Sequence, residues 1–236
     1  MFQFVGRAAL IVPWFFAVSL WGLLMSLWRW GDPSNGHRVA QVLCWGALPL
    51  MGIRVHQEET DRLAAAQPCV YVANHQTNAD VFILSPVYPE RTVVIGKKEL
   101  LAIPLFGLFF KASGNILLDR SSHDKAIEGM EAAARKIRED RISVWLFPEG
   151  HRNPQGPMMP FKKGAFHLAI LAGVPVVPVV AQNYLHALDL KRWRMPGGDI
   201  TVRALEPVAS EGHTVESLMA EVRSRMEQAL ARLNGA

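Results

Sequence analysis

The spacing of apolar and polar positions changes character once along this chain. From Ala8 to Trp28 the run AALIVPWFFAVSLWGLLMSLW is uncharged and apolar, bracketed by Arg7 and Arg29. As a helix it extends roughly 31 Å, enough to cross the hydrocarbon core of a bilayer. A second apolar stretch, Val39 to Ile53, reaches only about 22 Å as a helix, which suits a shallow or re-entrant path better than a perpendicular crossing. The GDPSNGHR segment between them reads as a turn. From about His56 short apolar runs alternate with helical stripes. Strands are predicted at Ile53 to His56, Cys69 to Ala73, Thr92 to Ile95, Asn115 to Leu118, Ser143 to Phe147, Val174 to Ala181 and Ile200 to Ala204. His123 to Asp140 places Ile127, Met130, Ala134 and Ile137 on one helical face, and Thr214 to Leu233 does the same with Leu218, Met219, Val222, Met226 and Leu230.

This alternation predicts an α/β fold, a mainly parallel central sheet flanked by helices. The expected division is a membrane-embedded helical motif of two helices over residues 1–55, followed by an α/β domain over 56–236. Trp14, Trp21, Trp28, Trp30 and Trp45 gather in the first segment with Arg29, Arg38 and Arg54 at its edges, as for elements anchored at headgroup level. A core helix of a soluble domain is the alternative for Ala8 to Trp28. A cleaved leader fits worse, because the run exceeds an ordinary leader's apolar region and no small-x-small cleavage site follows.

Composition narrows the function classes. Half the residues are hydrophobic and 19% are charged, which excludes disorder for the bulk of the chain. The 25 basic residues exceed the 21 acidic ones, and the pI is about 9.3, favouring an anionic surface or substrate. Lipid is preferred over nucleic acid, since no dense basic block or nucleic-acid module is present. Cys44 and Cys69 lie apart in apolar settings and read as buried thiols, not as a disulfide or zinc site. No metal or redox cofactor is expected.

Two His-x4-Asp pairs occur. His56 and Asp61 sit among charged residues and read as a solvated turn. His75 and Asp80, in ANHQTNAD, follow the apolar CVYVA, so a buried strand delivers them to a possible cleft. Three more blocks follow in order: GNILLDR, ending at Arg120; FPEGHR, with Glu149, Gly150 and Arg152; and VPVVPVV from Val174. Taken singly, Arg120 and Arg152 could be ordinary surface cations.

The ordered set resembles the membrane glycerolipid acyltransferase family, in particular its 1-acyl-glycerol-3-phosphate acyltransferases. The likeness covers residues 70 to 181, and the two apolar segments in front are similar to that family's amino-terminal membrane motif. His151 departs from the threonine usual in the third block. The resemblance implies His75 as catalytic base with Asp80 as its partner, which the chemistry also permits. A neutral imidazole takes the acceptor's hydroxyl proton while a carboxylate on the other ring nitrogen stabilises the imidazolium. No G-x-S-x-G nucleophile elbow occurs, and no HExxH or cysteine cluster completes a metal site.

The guanidinium forks of Arg120 and Arg152 suit phosphate oxygens. The resemblance assigns the second and third blocks to the acceptor, with Glu149 and Gly150 in the same substrate-binding set. Lys97 and Lys98 either add positive charge there or are snorkelling surface lysines; Lys162, in FKKGAF, is a weaker candidate, and Asn74 shapes the loop. The implied reaction esterifies the sn-2 hydroxyl of lysophosphatidic acid with an acyl group from acyl carrier protein or coenzyme A thioester, giving phosphatidic acid at the cytoplasmic face of an inner membrane. Another lysophospholipid or hydroxylated lipid as acceptor, and a non-catalytic lipid-binding membrane protein, are the alternatives.

Overall fold

A computed structural model describes residues 2–118, 123–154 and 157–235. Its elements in chain order are α1 (Phe2–Trp28), α2 (Ser34–Met51), β1 (Ile53–Glu58), α3 (Asp61–Ala65), β2 (Val70–Ala73), α4 (Asp80–Ile83), β3 (Thr92–Lys97), α5 (Phe106–Ala112), β4 (Ile116–Leu118), α6 (His123–Asp140), β5 (Ser143–Leu146), α7 (Gly164–Ala172), β6 (Val176–Ala181), β7 (Gly198–Ala204) and α8 (Val215–Leu233). The strands form one seven-stranded sheet in the order β1-β7-β6-β2-β5-β3-β4. Among the described residues only the β6–β7 pairing is antiparallel, so the sheet is mainly parallel, with β1 and β7 running against the rest.

The central strands read as continuous apolar runs because both their faces are covered. Along β2, Val70 and Val72 join the core beneath α6, α7 and α8, while Tyr71 and Ala73 join the core on the opposite face, where Cys44, Leu48 and Met51 of α2 pack. The predicted stripes do the packing: Ala134 and Ile137 of α6 and Leu218, Val222 and Met226 of α8 are buried. Ile127 lies where side chains are outside the described set. Helix α8 opens with a reciprocal Thr214–Ser217 cap.

Several sequence expectations shift. Ser34 to Arg38, placed in the turn, form the first part of α2, which ends at Gly52 with φ +69. Asp32 Oδ1 accepts the Ser34 amide at 2.8 Å, starting the helix earlier than apolar spacing alone indicates. His56 is not in a turn but on β1, where its Nε2 lies 2.9 Å from Asp199 Oδ1 on β7, away from Asp61. Strand β1 runs across residue 55, the limit drawn for the membrane motif, and α2 packs directly on the sheet. Helices α5 and α7 carried no clear periodic signal. Cys44 and Cys69 are free and buried; burial pushes the Cys69 thiol up to about 11.

Helix α1 is long and apolar enough over Gln3–Trp28 to cross a membrane, yet only 22% of an apolar 18-residue stretch within it is buried in the protein. Its inner stripe includes Ile11, Val18, Gly22 and Ser26, whereas Leu10, Leu20, Leu24 and Leu27 are exposed. Apolar residues on both faces mark a helix for an apolar solvent. The inner stripe is tightly seated: a Cβ on Gly22 would lie 2.6 Å from Val39 Cγ2 and 2.9 Å from Phe109 Cδ2. Trp14 lies over Gly46 and donates its indole N–H to Leu43 O at 3.1 Å.

Candidate active site

Strands β5, β2 and β6 lie side by side and parallel, so the loops that leave their carboxyl ends share one edge of the sheet. Those loops hold NHQTNAD after β2, FPEGHR after β5 and Gln182 to Tyr184 after β6. Asn74 fastens the first to the third. Its amide donates to Ala181 O at 3.0 Å, and its carbonyl accepts Ala181 N–H at 2.8 Å. The side chain thereby extends the β2–β6 pairing where the backbone turns away, giving physical content to its loop-shaping role.

His75 and Asp80 meet through that turn. The imidazole Nδ1 lies 2.6 Å from Asp80 Oδ2, with the His75 side chain 18% exposed and Asp80 only 3%. The same carboxylate oxygen accepts Gln76 N–H at 2.8 Å and Thr77 N–H at 3.2 Å, while Oδ1 accepts the Tyr184 hydroxyl. With Asp80 as carboxylate, Nδ1–H donates and Nε2 keeps its lone pair. Phe147 stacks beneath the ring, centroids 4.0 Å apart and planes 18° from parallel. The imidazole is thus fixed by a bond at one edge and by a flat apolar surface.

The third block builds the opposite wall. Glu149 is buried, and its two oxygens accept His75 N–H at 2.8 Å and Met159 N–H at 2.9 Å. Both oxygens are thereby engaged by backbone donors, so Glu149 holds the turn that carries His75. Asn153 N–H donates to His75 O at 2.8 Å, adding a second tie between the loops. Gly150 has φ +70, and a Cβ there would come 2.7 Å from Lys162 Nζ; the missing side chain lets Lys162 lie across the block. Arg152 is exposed and forms no ion pair with any described residue.

The other expected cations divide. Lys97 ends β3 and Lys98 opens the short 3-10 turn Lys98–Ala102, at the same sheet edge because β3 is parallel to β5; the Lys98 side chain is exposed and that of Lys97 is outside the described set. Arg120 lies outside the described residues, beyond the end of β4. Among the described residues no three His, Cys, Asp or Glu side chains gather closely enough to hold a metal ion.

Sequence reasoning missed Tyr184, Gln76, Thr77 and Phe147. Gln76 donates to Ala181 O and Gln182 O and accepts Tyr184 N–H at 3.3 Å, which brings the tyrosine over Asp80. Burial, then the nearby Asp80 charge, pushes the Tyr184 hydroxyl well above its ordinary range, keeping it a proton donor. Tyr184 follows the predicted β6 strand without a motif of its own, and its partner lies 104 positions away.

Comparison with known proteins shows the family and the fold. The family model described as Acyltransferase matches residues 52–182. The chain is 38% identical over 221 residues to the 1-acyl-sn-glycerol-3-phosphate acyltransferase of Haemophilus influenzae, covering 92% of this chain and 90% of that protein. It is 33% identical over 238 residues to the protein of the same name from Escherichia coli, covering 98% and 94%. The crystal structure of the 1-acyl-sn-glycerophosphate (LPA) acyltransferase PlsC from Thermotoga maritima superposes with a TM-score of 0.73 at 22% identity, over 98% of this chain and 97% of that one. At that identity the structural match speaks for the fold.

Proposed function

The chain belongs to the acyltransferase family, and from that membership we infer that it transfers a fatty acyl group to the sn-2 hydroxyl of 1-acyl-glycerol-3-phosphate, making phosphatidic acid. The observation that carries the reading is the His75–Asp80 pair, bonded at 2.6 Å at the carboxyl ends of the central strands. The acyl donor is a thioester of acyl carrier protein or coenzyme A, and no resident cofactor takes part.

His75 Nε2 removes the proton from the acceptor hydroxyl as its oxygen attacks the thioester carbonyl. The tetrahedral intermediate collapses with formation of the ester C–O bond and cleavage of the C–S bond. The imidazolium returns the proton to the departing thiolate, so free thiol and ester are the products. Asp80 holds the imidazole in the needed tautomer and stabilises its charged form, a role supported by four donors fixing the carboxylate. The acceptor hydroxyl fills the place of an enzyme nucleophile, and no acyl-enzyme forms. Arg152, with Lys97, Lys98, Lys162 and Arg120, supplies positive charge for the acceptor phosphate; Glu149 and Gly150 act by holding the loop and admitting Lys162.

The lipid acceptor and product place the enzyme at a membrane, and α1 supplies the embedding surface. Contacts along α1 run from Phe4 against Trp193 to Gly22 beside Phe109, both on the α/β body. A helix held to one body over that length favours immersion beside it, within the leaflet it faces, over perpendicular passage. Acyl carriers are cytoplasmic, which puts the site on the cytoplasmic side of the inner membrane.

The test is phosphatidic acid formation by protein reconstituted in vesicles, supplied with lysophosphatidic acid and each class of thioester, with lysolipids of other headgroups as competitors. Product that lysophosphatidic acid alone supports fits the reading. Product only from another lysolipid would reassign the acceptor, and no thiol release with either donor would reject the reaction.

A further inference from the structure

The loop between β6 and β7 carries features that acyl transfer does not use. Residues 189–194, DLKRWR, form a tight reversal closed by two backbone bonds, Asp189 N–H to Arg194 O at 2.8 Å and Arg194 N–H to Asp189 O at 3.0 Å. Next to the closing pair, Trp193 has φ +54, a left-handed conformation uncommon for a bulky side chain, and is 56% exposed. Leu190 is exposed beside it. The strained backbone leaves Trp193 more than half exposed, and such strain concentrates at functional sites.

The loop's charge is one-sided. Asp189 is nearly buried, accepts Arg192 N–H at 3.1 Å and pairs with the Arg192 guanidinium at 3.6 Å, so that pair is close to neutral. Lys191 and Arg194 are exposed and form no ion pair with any described residue. The loop is also fastened to the amino-terminal end of α1: the Phe4 and Trp193 rings lie 5.4 Å apart, and Arg7 Nη1 donates to Met195 O at 2.7 Å. The apolar surface of α1 therefore runs on to Trp193 and ends in a basic rim.

We propose that the 189–194 loop is a second membrane contact, in which Leu190 and Trp193 enter the interface beside α1 while Lys191 and Arg194 engage the phosphates of anionic lipids. Tryptophan suits that boundary, with an apolar ring and one N–H donor, and each basic side chain near an anionic surface strengthens attachment by about fivefold. An acidic protein is the other partner a basic loop could take. The exposed Leu190 and Trp193, and their continuity with α1, favour lipid. The proposal rests on the embedding of α1, so the test reads the two separately.

In full-length protein reconstituted in vesicles, an environment-sensitive fluorophore is placed at Leu190→Cys or, separately, at Leu24→Cys on the outer face of α1; Cys44 and Cys69 are buried and do not compete for label. The Leu190 label is expected to be reached by a lipid-borne quencher in vesicles containing phosphatidylglycerol, and less so in phosphatidylcholine alone or at high salt. The double change Lys191→Gln and Arg194→Gln should lower the ratio of docked to undocked loop by roughly 25-fold at low salt. A Leu190 label open to aqueous iodide while the Leu24 label is protected would overturn the loop proposal and leave α1 embedded; both labels open would overturn both. A wet Leu190 label, with the glutamines raising KM only for thioesters on an acidic carrier protein, would reassign the loop to protein docking.

Discussion

Asp80→Asn separates charge from geometry at this site. Three donors converge on Oδ2, His75 Nδ1 at 2.6 Å and the Gln76 and Thr77 amides at 2.8 and 3.2 Å, while Oδ1 faces the Tyr184 hydroxyl. An asparagine with its carbonyl oxygen in the Oδ2 position keeps all three donors. Its amide then faces Tyr184, whose proton can turn to Thr77 Oγ1, 2.9 Å away. The fold and the imidazole tautomer therefore survive, and what disappears is the negative charge beside the imidazolium that forms during acyl transfer. Opposite charges about 4 Å apart at an effective dielectric of about 20 attract by about 4 kcal/mol. The neutral bond that remains keeps about 1 kcal/mol of that. The difference, about 3 kcal/mol, corresponds to a loss of roughly 10²-fold in kcat. The assay is thiol release with saturating lysophosphatidic acid, beside a thermal unfolding curve to show that the variant is folded. A folded variant with kcat within about threefold of wild type would refute the reasoning, since under 1 kcal/mol of barrier would then depend on the carboxylate charge.

Three further outcomes follow from neighbouring contacts. Tyr184→Phe leaves buried Asp80 Oδ1 without its donor, at a cost of about 1–3 kcal/mol in stability; kcat should fall while KM for the lipid acceptor stays constant, and a change confined to KM would contradict a positioning role. Arg152→Ala removes a charge-assisted phosphate contact of about 1.5–3 kcal/mol, so kcat/KM for lysophosphatidic acid should drop by roughly 10- to 150-fold with Arg152→Lys only partly restoring it; unchanged kinetics would remove Arg152 from the acceptor site. At the far edge of the sheet, hydrogen bonds from His56 and then Arg54 hold the exposed Asp199 carboxyl below its usual range. A depressed folded-state value means that its stabilisation is present above the unfolded carboxyl value and is lost as pH falls through the folded one. Asp199→Asn should therefore flatten the acid limb of the stability profile, and an unaltered limb in acid titration would show that the ion pairs contribute nothing.

The sequence made the sheet and the His75–Asp80 contact legible for different reasons. Strands β2, β5 and β6 are covered on both faces, so their apolar runs, VYVA, SVWL and VVPVVA, stand out against the loops that follow. His75 and Asp80 were found because both lie in one short turn. Tyr184 was not, because its bond to Asp80 depends on β2 and β6 being neighbours, a pairing that no local pattern specifies. Glu149 was recognised in its block, but its bonds to two backbone amides could be seen only once the β5 loop was folded beside His75. The early start of α2 was hidden for a local reason, since Ser34, Asn35 and Gly36 are turn formers held helical by the Asp32 cap and by packing. The antiparallel turn of β7 against β6 likewise depends on a long connection whose path apolar periodicity does not encode.

The central claim is that His75 is the base for acyl transfer to the lipid hydroxyl. It is tested most directly by phosphatidic acid formation in vesicles, comparing wild type with His75→Ala at saturating lysophosphatidic acid and acyl thioester. Loss of general base catalysis predicts a fall of about 10²–10⁴-fold in kcat, with the variant's unfolding curve still cooperative. Equal turnover by wild type and a folded His75→Ala protein would contradict the account.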